Sequence, residues 1–190
     1  MKLKKPRFWD QKKPNLYAFL FYPLAIFIQL LNSLKNKVPK NNFKIKTICL
    51  GNIYIGGTGK TPLVINLANH FKKKNKTFVI KKNYNSHIDE KKLLELKHNV
   101  IFEKTRELSL LKAVQKKAEI VIFDDGLQEK TISYDLKIVC FNSFKLDGNG
   151  LVIPAGPLRE GLNNIKYYDI AFINGNINKE SKDFIDKIKN

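Results

Sequence analysis

The 190-residue chain reads as an α/β protein, a doubly wound and mostly parallel sheet. Three observations predict this. From Lys46 onward, short apolar runs alternate with helix-patterned segments, the order expected of successive strand–helix–strand units. Several runs are nearly continuous in Ile, Val and Phe, as in strands covered on both faces. The first run leads into a glycine-rich turn that opens a helix, the arrangement found at the ligand-binding edge of such sheets.

The strand candidates are Thr47–Leu50, Thr77–Ile80, Asn99–Phe102, Glu119–Phe123, Leu136–Phe141 and Asp169–Ile173. Helix candidates lie at Lys60–Lys74, Asp89–Leu96, Arg106–Lys117 and Lys179–Ile188. The stretch from Asn142 to Asn164 is rich in loop residues, with Asp147-Gly148-Asn149-Gly150 followed by Pro154-Ala155-Gly156-Pro157, and is expected to form part of a site.

The turn itself reads Gly56-Gly57-Thr58-Gly59-Lys60-Thr61. Glycines let successive backbone N–H groups converge on an anion, and the following helix dipole favours negative charge there. Such a phosphate loop binds a nucleotide triphosphate: Lys60 would reach the β- and γ-phosphates, and the Thr61 hydroxyl would ligate Mg²⁺. ATP and Mg²⁺ are therefore the expected ligands. Tyr54 stands where the usual pattern has its first glycine.

A second signal is Ile120-Val121-Ile122-Phe123-Asp124-Asp125-Gly126. A hydrophobic strand that delivers a carboxylate at its C-terminal end supplies the acidic half of a phosphate-loop site. Asp124 and Asp125 point in different directions from an extended backbone. One is expected to face the metal and the other to position a substrate or second ligand.

Other segments admit two readings. Asp89-Glu90 at a helix start is either a dipole-stabilised cap or the carboxylate base that an alcohol acceptor needs. Pro154 to Glu160 is either a structural turn or a rigid loop that holds Arg159, at the start of a short helix, against a phosphate. Only Arg7, Arg106 and Arg159 among 35 basic residues are arginine, so Arg106 is either a surface residue or a fork chosen for its geometry. Cys49 and Cys140 sit inside apolar runs and read as buried thiols, and the three histidines lack metal-ligand spacing.

The formal charge of +18 arises from scattered lysines, not from a basic patch interleaved with aromatics. An anionic membrane or a phosphorylated substrate is thus expected before a nucleic acid. The apolar segment Leu16–Leu31, flanked by lysines and by Phe8, Trp9, Tyr17 and Tyr22, suits a helix lying in a membrane interface. It is short for a spanning helix and lacks a cleavage site; a core helix is the alternative. Residues 1–40 are expected to form this membrane-associated segment and 41–190 the nucleotide-binding domain.

Three blocks in order carry a family resemblance: Gly51-Asn52-Ile53-Tyr54-Ile55-Gly56-Gly57-Thr58-Gly59-Lys60-Thr61-Pro62, Asp124-Asp125-Gly126-Leu127-Gln128, and Gly148-Asn149-Gly150 with Pro154-Ala155-Gly156-Pro157-Leu158-Arg159-Glu160. The chain resembles the tetraacyldisaccharide 4'-kinases, the lipid A 4'-kinases of Gram-negative bacteria, whose phosphate loop also lacks its first glycine. The resemblance implies ATP-dependent phosphorylation of the 4'-hydroxyl of an acylated glucosamine disaccharide at the cytoplasmic face of the inner membrane. It implies that Gly56 to Thr61 bind ATP, that Asp124 and Asp125 serve Mg²⁺ and phosphate positioning, and that Asp89 is the catalytic base.

The chain departs from the family pattern at Lys81-Lys82-Asn83-Tyr84, where the family reads Ser-Arg-Gly-Tyr, and at Glu129, where it has histidine. The segment after Tyr84 is shortened, and the resemblance covers only the family's first domain. The expected alternative is a membrane-associated nucleotide-binding protein without transfer activity.

Overall fold

The computed structural model describes residues 5–33, 44–81, 98–129 and 131–189. Six strands form one sheet in the order β3-β2-β4-β1-β5-β6, with β1 Lys46–Gly51, β2 Thr77–Lys81, β3 Val100–Ile101, β4 Ile120–Asp124, β5 Leu136–Asn142 and β6 Ile170–Asn174. The helices are α1 Leu16–Ser33, α2 Lys60–Phe71, α3 Arg106–Gln115 and α4 Lys179–Lys189, with short 3-10 helices at Arg7–Asp10 and Leu162–Tyr167. By compactness the described residues fall into two units: 44–51, 59–81, 98–129 and 131–138 in one, 5–33, 52–58 and 139–189 in the other.

In the first unit β4 runs parallel between β1 and β2, and β3 adds to β2, also in parallel. β2 is buried along its whole length, and Leu50, Val79, Ile80, Ile122 and Phe123 are fully covered, as continuous apolar runs require. Burial of each such side chain contributes about 1.5–3 kcal/mol. α3 lays Leu110 and Ala113 into a core with Phe78, Ile80 and Phe123. Both thiols are buried, as their apolar context predicts.

Helix ends follow local chemistry rather than the apolar pattern. The α2 segment, whose pattern predicts a helix to Lys74, stops at Phe71, where Lys74 N and Asn75 N both turn back to the Phe71 carbonyl. Likewise α3 ends at Gln115 instead of Lys117: Lys117 adopts φ 56, and Ala118 N closes on the Ala113 carbonyl, a left-handed stop. Its start is set by Thr105, whose hydroxyl accepts from Leu108 N. The Asn99–Phe102 strand shortens to Val100–Ile101, the two residues in register with Val79 and Ile80 of β2. The helix expected over 89–96 lies outside the described residues.

In the second unit the 3-10 turn Arg7–Asp10 buries Trp9, whose indole N–H donates to the Pro154 carbonyl at 3.0 Å. α1 begins at an Asn15 cap and runs through Pro23. It buries only its small residues, Ala18 and Ala25, while Leu16, Phe19, Leu20, Phe27 and Leu30 are exposed. Apart from Gln29 and Pro23, the side chains described as exposed on α1 are thus large and apolar. Among the described residues no helix is long and apolar enough to cross a membrane. Phe184 of α4 packs edge-on against Phe141, and Asn178 and Ser181 cap α4 reciprocally.

Candidate active site

The front of the phosphate loop, Asn52–Thr58, is fastened to the 151–159 loop by backbone hydrogen bonds. Tyr54 forms an antiparallel bridge with Leu158, Ile55 N donates to the Pro157 carbonyl at 2.9 Å, and Arg159 N donates to the Ile53 carbonyl at 2.6 Å. From inside, the buried Asn52 amide donates to the carbonyls of Tyr54 and Gly56. Tyr54, in the place of the missing glycine, is fully buried; its hydroxyl donates to Asp10 and accepts from Lys5 at 2.5 Å. Burial, followed by the neighbouring Asp10 carboxylate, pushes the Tyr54 phenol up from its ordinary range. For Asp10 itself burial opposes ionisation, but hydrogen bonds from Lys5 and Tyr54 outweigh it and hold the carboxyl below the usual value.

Asn149 builds the other side of this frame. Its side-chain amide donates to the Ala155 carbonyl, and its Oδ1 accepts from Leu151 N. The expectation that Arg159 opens a short helix is corrected: the residue directly follows the Leu158 bridge, and the helix begins at Leu162. Arginine is held there because its N–H belongs to the ribbon that pairs with the loop.

Gly56 and Gly59 adopt φ of +124° and +78°, conformations that side-chain-bearing residues rarely take. Gly59 is the N-cap of α2, no side-chain hydrogen bond caps that end, and its first turn carries no acidic residue. Its first amides therefore offer donors and a positive dipole end to an anion. The Thr58 hydroxyl is buried without a hydrogen-bond partner, a polar atom shaped for something the protein does not itself supply.

The acidic end lies at the C-terminal edge of β4. Asp125 N and Gly126 N donate to the Leu50 carbonyl at 2.8 and 3.4 Å, which folds the Asp-Asp-Gly turn over the end of β1. The two adjacent carboxylates meet different lysines, although Asp125 takes φ +66° rather than the extended backbone from which their divergence is expected. Asp124 meets Lys81 at 2.9 Å, and Asp125 meets Lys60 at 3.5 Å. Arg106, buried at the start of α3, donates to the Asp125 carbonyl and lies 3.5 Å from Glu129. Its task is to hold the left-handed aspartate in place. Behind the turn, Tyr134 donates to the Gly126 carbonyl, and burial pushes the Cys49 thiol up to about 12, which leaves it inert.

The residues fit a Mg²⁺-nucleotide. Asp124 Oδ2 is buried with no aligned hydrogen-bond donor despite its lysine neighbour, and Thr61 opens α2. Mg²⁺ bound with a triphosphate needs only one or two protein oxygens, the rest coming from phosphate and water. Among the described residues no three His, Cys, Asp or Glu side chains converge as a metal cage.

Sequence reasoning thus brought Lys60, Asp124 and Asp125 into one cluster, while Asp89 lies outside the described residues. It missed Lys81, noted only as a departure from a pattern, and the Lys5–Asp10–Tyr54 brace. A cation that ends one apolar strand, beside an acid that ends another, was the available signal for the former.

The family model for Tetraacyldisaccharide-1-P 4'-kinase matches residues 17–189. A tetraacyldisaccharide 4'-kinase from Pelagibacter ubique (strain HTCC1062) is 51% identical over 178 residues, which are 93% of this chain and 56% of the relative. The crystal structure of LpxK from Aquifex aeolicus in complex with ATP aligns with a TM-score of 0.65 and 26% identity, covering 83% of this chain and 56% of that one. The 54 kDa signal recognition particle protein of Aeropyrum pernix K1, in complex with GDP, aligns with a TM-score of 0.50 at 11% identity over 92% of this chain and 46% of its own, a likeness of fold alone. The chain spans little more than half the length of the kinases it matches.

Proposed function

Because this chain belongs to the tetraacyldisaccharide-1-P 4'-kinase family, we propose that it binds ATP and takes part in phosphorylating the 4'-hydroxyl of a tetraacyl glucosamine disaccharide 1-phosphate. One observation carries the reading: the uncapped α2 N-terminus behind Gly59 stands next to a lysine–aspartate pair, Lys60 with Asp125.

In this reading the amides of Gly56 to Thr61 cradle the phosphates. Lys60 turns from Asp125 to the β- and γ-phosphates, exchanging one anion for a more highly charged one. Thr61 and Asp124 would hold the metal, which when bound spreads charge from the phosphate oxygens, with Asp125 reaching it through water or positioning a phosphate. Asp89 accepts the proton of the attacking hydroxyl, and Arg159 supports the phosphates from the loop frame. The apolar exposure of α1 supports a seat in the interface of the bacterial inner membrane, on its cytoplasmic face, where an acylated substrate and ATP can meet. Residues 41–190 would form the nucleotide-binding domain and 1–40 its membrane attachment.

The test is transfer of label from [γ-³²P]ATP, with Mg²⁺, to the disaccharide lipid in mixed micelles. The assay is run with this chain alone and with the remaining part of the Pelagibacter relative supplied. Labelled lipid is expected in the second case, reduced about 10²-fold or more by Asp89→Ala. No label under either condition overturns the kinase reading, and ATP binding without transfer would select the silent alternative.

A further inference from the structure

β2 and β4 pair in parallel with Lys81 directly beside Asp124, so their side chains share one face of the sheet at its C-terminal edge. The resulting ion pair is the most buried of this acidic end: the side chains are 11% and 2% exposed, with the ammonium 2.9 Å from Oδ2. Its neighbour pair, Lys60 with Asp125, is more open, at 16% and 25%, and longer, at 3.5 Å. The two lysines differ in what a triphosphate does to them. Lys60 stands at the first turn of α2, where phosphate competes for it. Lys81 stands at the end of a buried strand, and the shape of the sheet holds it to Asp124.

From this we infer that Lys81 is a tethered cation that occupies Asp124 and suppresses divalent-metal binding until a triphosphate arrives. The inference rests on the kinase reading of the site. A divalent ion that approaches Asp124 meets a fixed positive charge where it would otherwise meet a bare carboxylate, and in a buried setting that repulsion is poorly screened. Among the described residues no three His, Cys, Asp or Glu side chains gather into a metal site that could offset it without nucleotide. The oxygens of a bound triphosphate make up the coordination and charge that Lys81 withholds. Metal and nucleotide then load together, and by linkage each strengthens the other's binding.

The experiment is Mn²⁺ titration of the nucleotide-free protein, followed by the loss of the free-ion EPR signal. The wild type is expected to bind Mn²⁺ weakly, Lys81→Met at least about tenfold more tightly, and Lys81→Arg like the wild type. The gain should vanish in Lys81→Met/Asp124→Asn. Equal binding by wild type and Lys81→Met overturns the proposal. If Lys81→Met fails to fold by circular dichroism, the wild type still decides against Asp124→Asn: matching weak affinities support the proposal, and tight wild-type binding that Asp124→Asn abolishes overturns it. ATP binding is measured separately by calorimetry, so its failure sinks the kinase reading without touching the Mn²⁺ comparison.

Discussion

The two ends of the phosphate loop are held by different physics. Asn52–Thr58 is fixed by neutral, mostly backbone hydrogen bonds to the 151–159 loop, with Asn52 and Tyr54 buried inside. Past Gly59, the cluster of Lys60, Lys81, Asp124 and Asp125 is held by ion pairs. A backbone frame sets shape and is indifferent to ligand charge or salt. A set of paired charges sets readiness, because each partner can be exchanged for a stronger one. Substitutions in the frame should therefore alter folding, and substitutions in the charge cluster should alter ligand affinity with little effect on folding.

Gly156 offers the harshest test of the frame. A Cβ there would lie 2.1 Å from Asn149 Oδ1 and 2.3 Å from the Leu151 carbonyl oxygen, and the second is backbone that cannot step aside. Gly156→Ala is expected to cost about 3 kcal/mol or more. Thermal unfolding should then begin roughly 10 °C lower. An unchanged transition would show that the 151–159 loop is not a rigid support.

Lys60→Ala should do the reverse. The variant is expected to lose ATP affinity by about 100-fold in calorimetry, since in the proposed site Lys60 is the ammonium that reaches the β- and γ-phosphates. Its unfolding midpoint should stay within about 2 °C of the wild type, because the lost pair with Asp125 is long and partly exposed. A large fall in stability would mean that Lys60 is part of the scaffold, and the contrast between the two ends would fail.

Much of this was legible in the chain, and what was not has an identifiable cause. The alternation of apolar runs and helices placed all six strands within a residue or two; in β1, β2 and β4 the middle residues are buried and apolar, with the polar ones towards the ends. The Asp-Asp-Gly turn and the loop glycines announce themselves locally. Tyr54 did not: read in sequence it is a flaw in a motif, and only its bridge to Leu158, about a hundred residues away, makes it a structural part. Lys81 depends on a parallel register between β2 and β4, which β3 and α3 separate in the chain and which periodicity cannot supply. The role of Arg106 was equally hidden, since besides Glu129 it holds a backbone carbonyl, that of Asp125, which no charge pattern in the sequence marks.

The smallest effect sharpens the comparison where the frame itself carries charge. Asp10 accepts from both Lys5 and Tyr54, and these bonds lower its carboxyl in the folded chain relative to the unfolded one. A depressed carboxyl contributes stability that is complete above the unfolded value of 3.8 and fades as pH falls through the folded one. The carboxylate is about half exposed, so the contribution is modest. Urea unfolding of wild type and Asp10→Asn should therefore differ by less than about 1 kcal/mol at pH 7 and converge in acid, below about pH 4. A gap that persists unchanged into acid would show that the brace works through the shape of the side chain alone. The charge of residue 10 would then join the neutral half of the loop.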